Sequence, residues 1–238
     1  MVTFRLAPGR LRAGRRIYAI GDVHGLADRL EAMHDSIAAD LAARPLASAL
    51  VLYIGDYIDR GPASAGVLAR LAAGGAVAGA ETIHLLGNHE WMALHVLDGG
   101  GAEEAGLWRM NGADATLRSW RIDPERAHGT WAGRVPEEQL RFLRMLRFSY
   151  REETYFFAHA GVRPGVALDA QDEEDLVWIR EPFLSCKRDF GAVVVHGHTP
   201  VDAPVVKANR IGIDTGAVYG GMLTAAILEE DRLGFLQV

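Results

Sequence analysis

Apolar residues gather into five short runs, and each run stops at a cluster of glycine and polar side chains. Ile17-Tyr18-Ala19-Ile20 runs into Gly21-Asp22-Val23-His24-Gly25, and Leu50–Ile54 runs into Gly55-Asp56-Tyr57-Ile58-Asp59-Arg60-Gly61. Thr82–Leu86 precedes Gly87-Asn88-His89-Glu90, Tyr155–Ala158 precedes His159-Ala160-Gly161, and Val193-Val194-Val195 precedes His196-Gly197-His198-Thr199. Near-continuous apolar runs of this length predict strands buried on both faces. Residues 26–43 carry Leu30, Met33, Ile37 and Leu41 at helical spacing. Pro136 with Glu137 and Glu138 marks a helix start ahead of Leu140, Leu143 and Leu146. Strands alternating with helices predict a layered α/β protein.

Two segments depart from the pattern. Residues 1–15 are basic and hold Pro8, Gly9 and Gly14, which reads as a loosely ordered lead-in to a single domain over residues 16–238. Residues 98–134 hold Gly99-Gly100-Gly101, Trp108, Asn111-Gly112, Trp120 and Trp131. Such a connection is either a lid or binding insert or a small helical subdomain packed for its own sake.

Composition narrows the class. Apolar residues are 49% and charged residues 24% of the 238, the balance of a globular chain rather than a disordered one. The 25 basic against 31 acidic residues give −6, so no general field draws the chain to nucleic acid or to an anionic membrane. A single cysteine, Cys186, forms no intramolecular disulfide. It also fails as a phosphatase nucleophile of the Cys-x5-Arg type, because Ala192 stands where arginine is needed. The start MVTFRLAPGRLRAGRR lacks the apolar core of a secretory signal, and no long uncharged apolar window suggests a membrane span. A cytoplasmic location is the expectation.

The chemistry lies in the turns after the apolar runs. Ligand sites in open α/β sheets form beyond the carboxyl ends of strands, so these five turns are candidates to converge. Their donors are Asp22, His24, Asp56, Asn88, His159 and His198, all oxygen or imidazole and none a thiolate. That set suits manganese, iron or zinc. Asp22 and His24 are two residues apart and share a side in extended backbone. Asp56 has two oxygens, enough to bridge two ions. Each fragment alone is weak: Asp-x-His is common on surfaces, and GNHE also reads as a helix start. Five in order, each after an apolar run, form a metal-site signature. His196 reads as a core residue beside the donor His198. His34, His84, His95 and His128 lack such context, and Asp214 in Gly212-Ile213-Asp214-Thr215-Gly216 reads as a strand end or turn.

GDVHG, GDYIDRG, GNHE, HAG and GHT, in this order, resemble the phosphoprotein phosphatase family of dinuclear metallophosphoesterases, closest to its short bacterial and phage serine/threonine phosphatases. The tail IGIDTGAVYGGMLTAAIL is similar to that group too, and the likeness spans about Arg16 to Leu228. The resemblance implies a calcineurin-like fold with layered β-sheets flanked by helices. It implies a first metal on Asp22, His24 and Asp56, and a second on Asp56, Asn88, His159 and His198. His89 would be the general acid with Asp59 as its charged partner, while Arg60 and Arg180 would hold phosphate oxygens and Tyr219 would approach the substrate. The implied cofactors are two divalent ions, Mn2+ first, with iron or zinc as alternatives. The implied activity is hydrolysis of phosphoserine and phosphothreonine in proteins, by in-line attack of a metal-bridging hydroxide. The alternative is a dinucleoside tetraphosphate hydrolase. That group usually lacks an aspartate at the position of Asp59, which favours the phosphatase. The implied partner is a phosphoprotein or phosphopeptide.

Overall fold

The computed structural model describes residues 2–238. In chain order the elements are β1 (Arg5–Leu6), β2 (Arg15–Ile20), α1 (Ala27–Ala43), β3 (Ser48–Tyr53), α2 (Ser64–Ala72), β4 (Ala80–His84), α3 (Asn88–Leu97), α4 (Ala102–Met110), α5 (Ala113–Ser119), α6 (Glu137–Arg144), β5 (Ser149–Glu152), β6 (Tyr155–Ala158), α7 (Glu173–Trp178), β7 (Val193–His196), β8 (Val205–Val206), β9 (Arg210–Gly212), β10 (Thr224–Glu229) and β11 (Arg232–Gln237). One sheet has the order β1-β11-β10-β2-β3-β4 and the other β5-β6-β7-β9-β8. The central neighbours β2-β3-β4 and β6-β7-β9 run parallel, and β10, β5 and β8 pair antiparallel to their neighbours.

Alternation along each strand divides the core. Ile17, Ala19, Leu50 and Leu52 meet Phe157, Val193 and Val195 between the two sheets. Tyr18, Ile20, Val51 and Tyr53 point the other way, toward Leu30, Met33 and Ile37 of α1 and toward Val67 and Leu68 of α2. Phe156, Ala158 and Val194 face Leu176 of α7. Burial on both faces is the physical reason these runs are continuously apolar rather than alternating. The layers are helices, sheet, sheet, helices, as expected. Among the described residues, no helix is long and apolar enough to cross a membrane.

The differences from expectation are local. β4 is Ala80–His84, two residues earlier than the apolar run, and it is only half-buried because it is the edge of its sheet. Its C-terminal end is covered by Arg147, whose N–H donates to the His84 carbonyl and whose carbonyl accepts from Leu86. The described part of the lead-in is not a loose tail. Arg5 and Leu6 pair with Leu233 and Arg232, and Leu11 is buried between the sheets. Two of its basic residues form ion pairs: Arg12 contacts Glu153, and buried Arg15 contacts Glu152 at 2.7 Å and Glu81 at 2.9 Å. In residues 98–134 the tryptophans face inward, with Trp108, Trp131 and Trp120 only 0%, 2% and 6% exposed. They join the helix-side core, so packing rather than an open lid accounts for them.

Candidate active site

The loop after β2 carries Asp22 and His24, and the loop after β3 carries Asp56, Asp59 and Arg60. The start of α3 carries Asn88 and His89, and the ends of β6 and β7 lead to His159 and His198. The first sheet and its helices thus supply Asp22, His24, Asp56 and Asn88, and the second supplies the two remaining histidines. Turning a strand abruptly into the site demands unusual backbone. Eight non-glycine residues have positive φ, and His24, Asp56, Asp59, Arg60 and His198 are five of them. Each costs on the order of 1 kcal/mol, and such strain collects at functional sites.

Several groups hold these turns. Glu90 is fully buried and accepts from the N–H of Asp56 (2.8 Å), Tyr57 (2.8 Å), Ile58 (3.1 Å) and Gly87 (3.0 Å), so GNHE fastens the GDYID loop. Burial, with the Asp56 charge beside it, pushes its carboxyl up to about 7. A Cβ on Gly87 would sit 2.2 Å from Asp56 Oδ1, and one on Gly197 would sit 2.0 Å from Asp22 Oδ1. These two glycines are fixed by close approach to carboxylates.

The side chains converge with lone pairs facing inward. His24 donates from Nδ1 to the Ile58 carbonyl (2.8 Å) and accepts at Nε2 from Arg60 (2.6 Å), so Nε2 carries the lone pair. That nitrogen lies 3.4 Å from Asp56 Oδ2. His159 donates from Nδ1 to the Ile54 carbonyl (3.2 Å), which leaves its Nε2 lone pair 3.0 Å from Asn88 Oδ1 and 3.4 Å from Asp56 Oδ1. His198 Nδ1 is 2.9 Å from the same Asn88 oxygen. Buried acceptors turned toward one another repel unless a cation lies among them. Burial lowers His24 and His198 to about 3, keeping both neutral and able to ligate. Burial and the carboxylates of Asp214 and Asp56 raise Asp22, a cost that a cation would remove. The donor set therefore fits divalent ions, and Asp56–His159–His198 forms one cluster with ligand atoms within 4.8 Å of each other.

In the other cluster of that size His24 and Asp56 are joined by His89 rather than by Asp22. Asp22 is present at the site, accepting from His198 N–H at 3.0 Å. His89 Nδ1 lies 2.7 Å from Asp59 Oδ2, and its buried Nε2 has no hydrogen-bond partner and sits 3.9 Å from Asp56 Oδ2. Burial alone would lower His89, but Asp56 and Asp59 outweigh it and raise the imidazole above its ordinary value. A cationic imidazole has no lone pair to ligate with.

Arg60 sits at the mouth with its guanidinium 5.5 Å from the Tyr219 ring, which is 64% exposed. Arg180 is exposed just past α7, close enough for its charge to bear on His198, but among the described residues no hydrogen bond ties its side chain to the other candidates. His196 is buried against Phe183, with ring centroids 4.9 Å apart, as a core residue. Sequence reasoning missed Glu90, Trp108, Thr116 and Asp214. Glu90 stood inside a motif already singled out, and the 98–134 tryptophans were visible without a target.

Comparison with known proteins agrees with this geometry. The family model for calcineurin-like phosphoesterases matches residues 15–231. Serine/threonine-protein phosphatase 1 of Salmonella typhimurium is 34% identical over 227 residues, covering 90% of this chain and 93% of its own. An asymmetrical bis(5'-nucleosyl)-tetraphosphatase of Anoxybacillus flavithermus is 26% identical over 227 residues and 87% of each chain. Among solved structures, the cold-active protein-tyrosine phosphatase of a psychrophilic Shewanella species superposes with a TM-score of 0.58 at 17% identity, over 94% of this chain and 80% of that one. Fold, donor set and sequence together place the chain in the calcineurin-like phosphoesterases, a family of metal-dependent hydrolases.

Proposed function

We propose that the protein is a phosphomonoesterase that removes phosphate from phosphoserine and phosphothreonine in proteins. The observation that carries this reading is the buried Asp59–His89 pair, 2.7 Å apart, with His89 Nε2 free to face a substrate. Serine and threonine alkoxides are poor leaving groups and need a proton as the P–O bond breaks. His89, whose Nδ1 faces the Asp59 carboxylate at 2.7 Å, delivers it from Nε2, and the neutral alcohol leaves to solvent. The phosphoryl group takes oxygen from water, so no covalent enzyme intermediate is required.

Asp22, His24 and Asp56 would hold one ion and Asp56, Asn88, His159 and His198 a second. Two divalent ions held there would offset the dianionic charge of the phosphate and activate water for attack. Arg60 grips the non-bridging phosphate oxygens through its guanidinium fork, and Arg180 approaches from the rim after α7. The tetraphosphatase relative supports dinucleoside tetraphosphate hydrolysis as the second reading. The test compares kcat/KM of Mn-loaded enzyme on a phosphothreonine peptide, diadenosine tetraphosphate and a bis-ester. Preference for the peptide is expected. A tenfold preference for the dinucleotide would overturn the reading.

A further inference from the structure

In the proposed acid pair, Asp59 faces His89 and is itself held by several further groups. It is fully buried, with φ at 71°, and Arg60 follows at 66°. Two successive left-handed residues do not hold themselves in place. Ser64 of α2 accepts from the Asp59 N–H at 3.1 Å, and the rest of the fastening comes from α4 and α5. Trp108 donates from Nε1 to Asp59 Oδ2 at 2.8 Å, the same oxygen that faces His89. Thr116 donates to Oδ1 at 2.6 Å and accepts from the Asp59 N–H at 2.8 Å, gripping side chain and backbone together. Between the helices, the Gly112 carbonyl accepts from Arg60 N–H at 3.3 Å. Gly112 has φ at 102°, and a Cβ there would meet the Arg60 nitrogen at 3.0 Å.

The tryptophan is itself fixed. Its ring centroid lies 6.1 Å from that of Trp131 and 6.5 Å from that of Trp120. Trp120 donates to Gln139 Oε1 at 2.7 Å, and Gln139 donates to the Ala65 carbonyl at 3.0 Å. A carboxylate with all its donors in place has one orientation, and losing one frees it to rotate. Displacement of a reacting group by about 1 Å costs on the order of 10²-fold in rate.

We infer that Trp108 and Thr116 are positioning residues which aim His89 through Asp59, so that the α4–α5 segment is a clamp on the acid pair and on Arg60 rather than a lid over the substrate. The inference rests on His89 acting as the acid. If these residues only filled the core, their loss would lower stability and touch every substrate alike. The experiment therefore measures kcat and KM for a phosphothreonine peptide and for p-nitrophenyl phosphate, whose leaving group needs little protonation. The proteins are wild type, Trp108→Phe, Thr116→Val, Thr116→Ser and Asp59→Ala, the first two substitutions also being made in the Asp59→Ala background. Elemental analysis gives metal per chain.

Trp108→Phe keeps an aromatic ring, though a smaller one, and removes the N–H, and Thr116→Val keeps the shape and removes the hydroxyl. Each should lower kcat on the peptide about 10-fold or more, with a smaller loss on p-nitrophenyl phosphate and little change in KM or metal content. Thr116→Ser should restore most of the loss. Neither substitution should change the ratio of the two substrates further once Asp59 is gone. If Asp59→Ala discriminates between the substrates while Trp108→Phe and Thr116→Val do not, the clamp is wrong and the acid survives. If Asp59→Ala slows both substrates equally, the acid reading itself falls. Should Trp108→Phe not fold, the Thr116→Val and Thr116→Ser pair decides the matter alone.

Discussion

Asp56 turns one oxygen to each half of the site: Oδ2 lies 3.4 Å from His24 Nε2 and Oδ1 lies 3.4 Å from His159 Nε2. Burial would raise this carboxyl, yet the surrounding His159, His89 and His24 hold it well below the usual range. Asp56→Asn replaces one oxygen with a donor and should lose metal occupancy together with activity. His89→Asn removes a proposed proton donor and no proposed ligand. It should keep two metals per chain and lose roughly 10²–10⁴ in kcat, less for good leaving groups. Because His89 and not Asp22 groups with His24 and Asp56 within 4.8 Å, the same elemental analysis on Asp22→Asn separates the roles. Metal loss in His89→Asn with full retention in Asp22→Asn would exchange the two assignments.

The elements that carry these residues were readable because a doubly buried strand leaves an apolar run and a functional turn leaves glycine beside polar side chains. β6 matches the expected Tyr155–Ala158, and α1 begins one residue inside the predicted span. β10 falls mostly within the family-like tail and β11 lies beyond it with no expectation attached, since residues such as Ala225, Ala226 and Gly234 carry no strong strand signal. Trp108 and Thr116 escaped for another reason: their partner Asp59 is 49 and 57 residues away, and no local pattern encodes a contact at that separation. Glycine in a turn was legible, but not which carboxylate it makes room for. Gly197→Ala should therefore act as a ligand variant although it removes no donor. Its Cβ would drive into Asp22 Oδ1, so metal content and kcat should fall together while the fold persists. Gly220→Ala serves as the comparison: its φ of 94° is unfavourable to alanine, whereas Gly197 has no positive φ, and nothing lies within 4 Å of the Gly220 Cβ. An equal loss of metal in the two variants would show that crowding of Asp22 is not responsible.

Across the molecule, the proposed metal donors come from both sheets, which otherwise meet mainly through an apolar layer, so binding at that site is expected to raise global stability. A site filled at 100 times its Kd adds about 2.7 kcal/mol. For a chain of this size that corresponds to roughly 5–10 °C in Tm. Manganese should raise Tm by that order over chelated protein, and His198→Ala should shrink the rise; identical melting with and without metal would contradict a cross-link between the sheets. A separate acid sensitivity is expected at two histidines outside the candidate donor set. His34 is buried with Nε2 2.8 Å from the Tyr53 hydroxyl, and His84 stacks on Tyr53 at 4.8 Å and meets Phe142 edge-on at 4.9 Å. Desolvation lowers both imidazoles to about 4. The unfolded chain protonates near 6.5, so between pH 6.5 and 4 it binds protons that the folded protein refuses. The contribution of these neutral histidines is complete above that window and is lost as the pH falls through it. His84→Phe preserves the stack and removes the titration. In chelator, its Tm should fall less than wild type between pH 6.5 and 4.5, by roughly 5 °C, with the two curves parallel above pH 7. Curves parallel throughout would mean that the protonation of His84 is not linked to folding.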